Sequence, residues 1–170
     1  WVRCQGIVER NADGSLGLFV GTMMNLGVNA KFDQPTGLYT FHELKKQLPA
    51  FISHGMEGAV LLFDVDRLQR INDILGYLVG DEVLQRLGQK CQSLEGVISY
   101  RGPGGKFYCI TTEKSENALD WIYKEMQKFS VEVPREMNLE IQLTISCGVA
   151  FFATGCRGFR DFACKCGIRP

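Results

Sequence analysis

The stretch GAVLLFDVD, residues 58–66, constrains the fold more than any other. An apolar run without alternation marks a strand buried at the centre of a sheet. It ends in Asp64 and Asp66, so the strand delivers two acids to its C-terminal edge. Side chains at i and i+2 of an extended strand share a face, and two carboxylates there can converge on a cation. Magnesium takes hard oxygen ligands, usually one or two carboxylates plus substrate phosphates. An acidic hairpin turn beside such a strand end would complete a two-ion centre for phosphoryl transfer. The alternative is that Asp64 and Asp66 cap the following helix, whose N-terminus favours negative charge.

The rest of the chain supplies partners for that strand. Residues 1–26 read as two strands joined at NADG, a ribbon too small to stand alone. GVNAKFDQPTG is a polar connector with Pro35 and Gly37, and a domain boundary is expected there. Leu38, Phe41, Leu44, Leu48 and Phe51 or Ile52 recur at helical spacing, predicting an amphipathic helix over 38–54 that is interrupted near Pro49. RLQRINDILGYLVGDEVLQRLGQKCQSL is helical, with Leu68, Ile71, Ile74 and Leu75 on one face, a break from Gly76 to Gly80, and Val83, Leu84, Leu87 and Cys91 on another. GVISYRG and KFYCITTE form a hairpin, and SENALDWIYKEMQKF is a helix with Ser115 as its N-cap. LEIQLTISCGVAFF, 139–152, alternates as a long strand. From residue 38 the order is helix, strand, helix, helix, hairpin, helix, strand. That order predicts an α+β fold, a mixed or mainly antiparallel sheet with helices packed on one face.

Composition excludes several functions. Lys+Arg and Asp+Glu are both 19 in the 170 residues, and this zero formal charge argues against a nucleic-acid binder. No apolar run approaches the roughly 20 residues a bilayer span needs. The start WVRCQGIVER lacks the pattern of a signal peptide, and it opens mid-pattern without Met, as a fragment of something longer would. Cys4, Cys91, Cys109 and Cys147 stand among apolar neighbours and read as buried free thiols. Cys156, Cys164 and Cys166 cluster without a CxxC pair or a nearby histidine, which weighs against zinc. An odd cysteine count with no export signal fits a reducing, cytoplasmic compartment.

Several separated motifs then fall in one order: TGLY at 36–39, FDVD at 63–66, IND at 71–73, GD at 80–81 and TISCGVA at 144–150. Across residues 33–152 they resemble the GGDEF (diguanylate cyclase) family, which reads DxLTGLxNR, DxDxFKxINDxxGHxxGDxxL, RxGGDEF and a TISIGVA-like strand. The resemblance implies a nucleotidyl-cyclase, palm-like fold with a ferredoxin-like core. Residues 1–28 resemble the C-terminal strands of a PAS-like sensor domain, ending in FVGTMMNL. The implied organisation is this PAS fragment, a linker at 29–37, a GGDEF-type domain at 38–152, and a shortened or altered tail at 153–170.

Site residues carry over position by position. The resemblance implies Mg²⁺ bound by the Asp64 side chain and the Val65 carbonyl. It also implies guanine recognition by Asn72 and Asp81, whose amide and carboxylate match the donor and acceptor edge of the base. The alternative places Asn72 on a helix surface and makes Asp81 the N-cap of a helix beginning near Glu82.

The signature itself departs from the family. Aligned on Arg101 and Phe107, it reads PGGKF at 103–107. Gly105 stands where the family has the acid that holds metal and assists deprotonation of the 3′-hydroxyl, and Lys106 stands where it has glutamate. An ammonium there repels cations, and no catalytic acid is assigned. Leu68, Gln69 and Arg70 replace the usual lysine-bearing run, Tyr77 replaces histidine, and LEGV at 94–97 lacks the RxxD product-inhibition motif. In the tail, Lys165 and Arg169 keep a four-residue spacing, but the glycine of the family's phosphate-contacting element is misplaced.

Three readings follow. One is a catalytically impaired domain binding GTP, or guanine nucleotide generally, as a regulatory ligand. The second is an active cyclase making cyclic di-GMP, which requires Glu82 or Asp66 to replace the missing acid and implies a homodimer. The third is a nucleotide-free module relaying a PAS signal to a downstream output such as an EAL-type phosphodiesterase domain.

Overall fold

The computed structural model describes residues 2–25 and 30–153. Residues 26–29 at the expected boundary lie outside the described residues, as do residues 154–170 with Cys156, Cys164, Cys166, Lys165 and Arg169. The chain divides into two compact units, Trp1–Ala30 and Lys31–Pro170.

The first unit is the predicted hairpin. β1 (Val2–Arg10) pairs antiparallel with β2 (Leu16–Asn25). The NADG turn closes with Asp13 Oδ1 accepting from the Ser15 backbone at 2.9 Å and its hydroxyl at 2.6 Å. Ile7, Leu18, Phe19, Val20 and Met23 are all exposed within this unit. Cys4 is exposed too, unlike the buried thiol expected there, because a two-stranded ribbon has no second layer to cover it.

The second unit is a five-stranded mixed sheet ordered β3-β5-β6-β4-β7. β3 (Tyr39–Thr40) runs parallel to β5 (Val97–Arg101), while β5, β6 (Lys106–Thr111), β4 (Gly58–Val65) and β7 (Ile145–Phe152) pair antiparallel. β4 is an interior strand between β6 and β7, as its sequence requires. α1 (Phe41–Ser53) packs Leu44, Leu48 and Ile52 against Val60, Tyr100 and Tyr108 on one face. α2 (Leu68–Leu75), α3 (Tyr77–Gln92) and α4 (Glu116–Glu136) cover Leu61, Phe63 and Phe107 on the other. Helices on one face was the expectation, and it is corrected here. β4 carries apolar side chains toward both faces, so each face needs a cover.

Other boundaries shift for physical reasons. α1 continues through Pro49, because buried Leu48 and Ile52 hold the helix on either side of the lost hydrogen bond. The α2–α3 break is Gly76 alone, at φ 90°, a conformation that costs glycine little. α3 therefore starts at Tyr77 and Asp81 lies inside it, so the N-cap reading of Asp81 is wrong. α4 is capped by Ser115, whose Oγ accepts from the Ala118 N–H at 3.3 Å, as predicted. β7 starts at Ile145 and not at 139, because its partner strand ends at Val65. Among the described residues, no helix is long and apolar enough to cross a membrane.

Candidate functional site

β4 hands the chain to α2 at Asp64–Asp66, and the tight β5–β6 hairpin lies alongside. In the β4–β6 register Asp64 faces Lys106, and the Lys106 Nζ lies 2.9 Å from Asp64 Oδ2. The Val65 N–H donates to the Gly105 carbonyl at 3.1 Å, fixing the turn against the strand end. A Cβ on Gly105 would sit 2.9 Å from Asp64 Oδ1 and 3.0 Å from the Val65 carbonyl oxygen. Both oxygens that the family resemblance assigns to a metal therefore face the place where the family's acid would project. The acid is absent, and an ammonium is paired with the remaining carboxylate.

Asp66 is drawn the other way. The strand ends at Val65, and Asp66 accepts from Thr144 Oγ1 at 2.7 Å and from Ser146 Oγ at 2.6 Å. Asp64 is thus tied to β6 and Asp66 to the β7 side, so the two do not form the convergent pair that an extended strand end would give. Arg67, at φ 55°, completes the bend into α2. Glu82 accepts from Arg86 Nη2 at 2.9 Å on the exposed side of α3. Asp66 and Glu82, the two acids considered as substitutes, are thus each engaged by neighbours of their own. Among the described residues, no group of three His, Cys, Asp or Glu side chains could hold a metal ion. The donor set does not fit a two-magnesium centre.

The turn is braced from inside by Arg101. Its guanidinium donates to the carbonyls of Gly102 and Gly104, and to that of Lys106 at 2.8 Å, while stacking 4.7 Å from the Phe107 ring centroid. Burial lowers the Arg101 pKa, and the carboxylates of Asp33, Asp64 and Asp81 oppose that shift. Asp64 and Asp81 therefore both lie within electrostatic reach of Arg101. Asp33 adds a third acid from the turn before β3, where it accepts from the Thr36 hydroxyl at 2.7 Å.

Asn72 sits on α2 facing α3. Its Oδ1 is buried without a hydrogen-bond partner, packed so closely on Gly80 that a Cβ there would come within 1.8 Å. A buried amide oxygen left unpaired costs about 1–3 kcal/mol. Asp81 follows Gly80 directly and is exposed. Asn72 and the Gly80–Asp81 pair thus meet across the helix junction, with the amide orphaned and the carboxylate open to solvent. A separate cleft of about 830 Å³ lies between Arg67, Arg70, Ile71, Ile74 and the 140–144 stretch, and Asp64, Asn72 and Asp81 are not in its walls.

The sequence reading missed two functions here, the Arg101 brace and the Lys106–Asp64 pair. The second had a signal. Matching the apolar runs of 59–63 and 107–110 in antiparallel register puts the polar residues that flank them, Asp64 and Lys106, opposite each other.

Comparison with known proteins agrees with this fold. The family model described as diguanylate cyclase, GGDEF domain, matches residues 30–161. A diguanylate cyclase of Vibrio cholerae serotype O1, VdcA, is 28% identical over 127 residues, covering 71% of this chain and 38% of its own length. The probable diguanylate cyclase DgcI of Escherichia coli K12 is 33% identical over 153 residues, covering 84% of this chain and 31% of its own. The chain thus spans about a third of the length of these curated relatives. Among solved structures, the diguanylate cyclase SiaD of Pseudomonas aeruginosa, crystallised with its activator SiaC, superposes with a TM-score of 0.71 at 20% identity, over 81% of this chain and 55% of that one. With the motif order, the sheet topology and the family match in agreement, the chain belongs to the GGDEF (diguanylate cyclase) domain family.

Proposed function

We propose that this chain is a GGDEF domain of cyclic di-GMP signalling that does not catalyse cyclisation and instead binds guanine nucleotide, GTP first, as a regulatory ligand. The observation that carries the reading is the orphaned Asn72 Oδ1 beside Gly80 and Asp81. A buried acceptor with no partner in the protein gains one when a base edge enters, and an incorrect base leaves it unpaired. The loss of catalysis is supported by Gly105 and by the ion pair that occupies Asp64. Losing a metal-bound acid removes several kcal/mol of transition-state stabilisation, each ~1.4 kcal/mol being tenfold in rate. The exposed apolar hairpin of the first unit supports its assignment to a PAS-type sensor sheet. A downstream EAL-type output domain completes the proposed cytoplasmic signalling arrangement, and a homodimer would follow only if the chain were catalytic.

Isothermal titration with GTP tests the reading. Binding is expected, and Asn72→Ala should weaken it about tenfold or more, the loss of ~1.4 kcal/mol or more. Unchanged affinity in that variant removes the guanine assignment. No binding at millimolar GTP leaves the nucleotide-free module, and cyclic di-GMP formation by the unmodified chain restores the active cyclase.

A further inference from the structure

The poor fit to magnesium points to something more specific than loss. We propose that the Lys106 ammonium serves as this chain's resident cation, receiving the phosphates of a nucleoside triphosphate directly, so that nucleotide binding needs no divalent metal. The inference rests on the guanine-nucleotide reading above and adds to it the means of phosphate recognition.

Four features support it. First, the strand register places Lys106 directly across from Asp64, the family's metal-binding carboxylate position, at 2.9 Å. Second, an ammonium carries three donors, more than its one ion-pair partner Asp64 can take up, so donor capacity remains for phosphate oxygens. Third, the backbone beneath it is fixed: Arg101 holds the Lys106 carbonyl at 2.8 Å, and the adjacent Gly105 carbonyl accepts from Val65. A cation on a braced turn loses less freedom on binding than one on a loose loop. Fourth, the Lys106 and Asp64 side chains are 37% and 35% exposed, so the pair is open to a ligand from solvent.

A divalent ion would fare worse at the same place. It would have to displace the ammonium from Asp64 or sit beside it with like charge. The remaining protein ligand would be the Val65 carbonyl, since Asp66 is held by Thr144 and Ser146.

The test is calorimetric titration of the full chain with GTP, once in EDTA and once in excess Mg²⁺. Affinities in the two buffers are expected to agree within about threefold. Lys106→Met is expected to weaken binding in EDTA by about tenfold or more while Asn72→Ala weakens it equally in both buffers. Binding that appears only with Mg²⁺ overturns the inference and leaves the nucleotide reading intact. Lys106→Met binding as tightly as the parent in EDTA also overturns it. Absence of binding in both buffers overturns the nucleotide reading, and this inference with it. Melting temperature without nucleotide shows whether the Lys106→Met chain is folded. If it is not, Lys106→Arg, which keeps the charge, is expected to retain EDTA binding, and loss of that binding in a folded Lys106→Arg chain overturns the inference.

Discussion

The two ends of the site have met different fates. At the helix junction, Asn72 presents a buried oxygen that nothing in the protein satisfies. At the hairpin, Asp64 has found a partner inside the chain, and the turn carbonyls are bound by Arg101. An unsatisfied buried polar group in a folded protein calls for an explanation, whereas satisfied ones have been absorbed into structure. In the proposed reading, the residues that recognise the base sit on two helices, and those at the family's metal-binding positions sit on one strand end and one turn.

The largest effect is expected from reversing the hairpin. Gly105→Glu with Lys106→Glu removes the ammonium and supplies two carboxylates beside Asp64 and the Val65 carbonyl. Affinity for Mn²⁺, followed by the electron paramagnetic resonance of the free ion, should rise by at least about a hundredfold, since carboxylate count sets divalent affinity. Product analysis should still find little cyclic di-GMP, because Gln69 and Tyr77 keep their departures from the family. Tight Mn²⁺ binding by the unmodified chain would erase the contrast between the two ends, and robust turnover by the double variant would show that those departures are dispensable.

A smaller change sharpens the other end. Gly80→Ala puts a methyl where Asn72 Oδ1 now lies, and only that side-chain amide must move. Alanine is better than glycine within a helix by about 1 kcal/mol, so the melting temperature should hold or rise. GTP affinity should nevertheless fall about tenfold, ~1.4 kcal/mol. A matched loss of stability and affinity would mean that Asn72 serves packing alone.

The smallest effect belongs to a control remote from both ends. Glu125 on α4 accepts from Lys128 and, at 2.6 Å, from Lys90 on α3, and these bonds hold its carboxyl down to about 2. Its folded pKa lies below the ordinary 4.5, so its stabilisation is present above that pH and is lost as pH falls toward 2. Thermal melts of Glu125→Gln should show a shallower decline from about pH 5 to 3 than the parent, with GTP binding at neutral pH unaltered. An unchanged acid limb would show that the surface pair contributes nothing measurable, as many do.

Much of this was legible in sequence where a residue's role depends on its neighbours along the chain. The central strand, the NADG hairpin and the Ser115 cap all follow from local pattern, and so does the order of motifs. What escaped depended on the third dimension. Helical spacing in α1 shows that one side is buried, but not which face of the sheet it covers. Asp66 looked extended because nothing in FDVD marks the bend, which comes from hydroxyls about 80 residues away. The three glycines of the hairpin turn do not show whether the tip is loose or braced. One guanidinium bound to three of its carbonyls makes it a fixed one.

The fastening of Asp66 has a mechanical consequence. The carboxylate stands at the doorway of α2, and Thr144 and Ser146 buckle it to the start of β7. Sliding β7 along β4 must therefore either unclasp two hydroxyls or carry the entrance of the helix that bears Asn72. A pull on β7 is thus geared to the helix that carries Asn72 without passing through the hairpin at all.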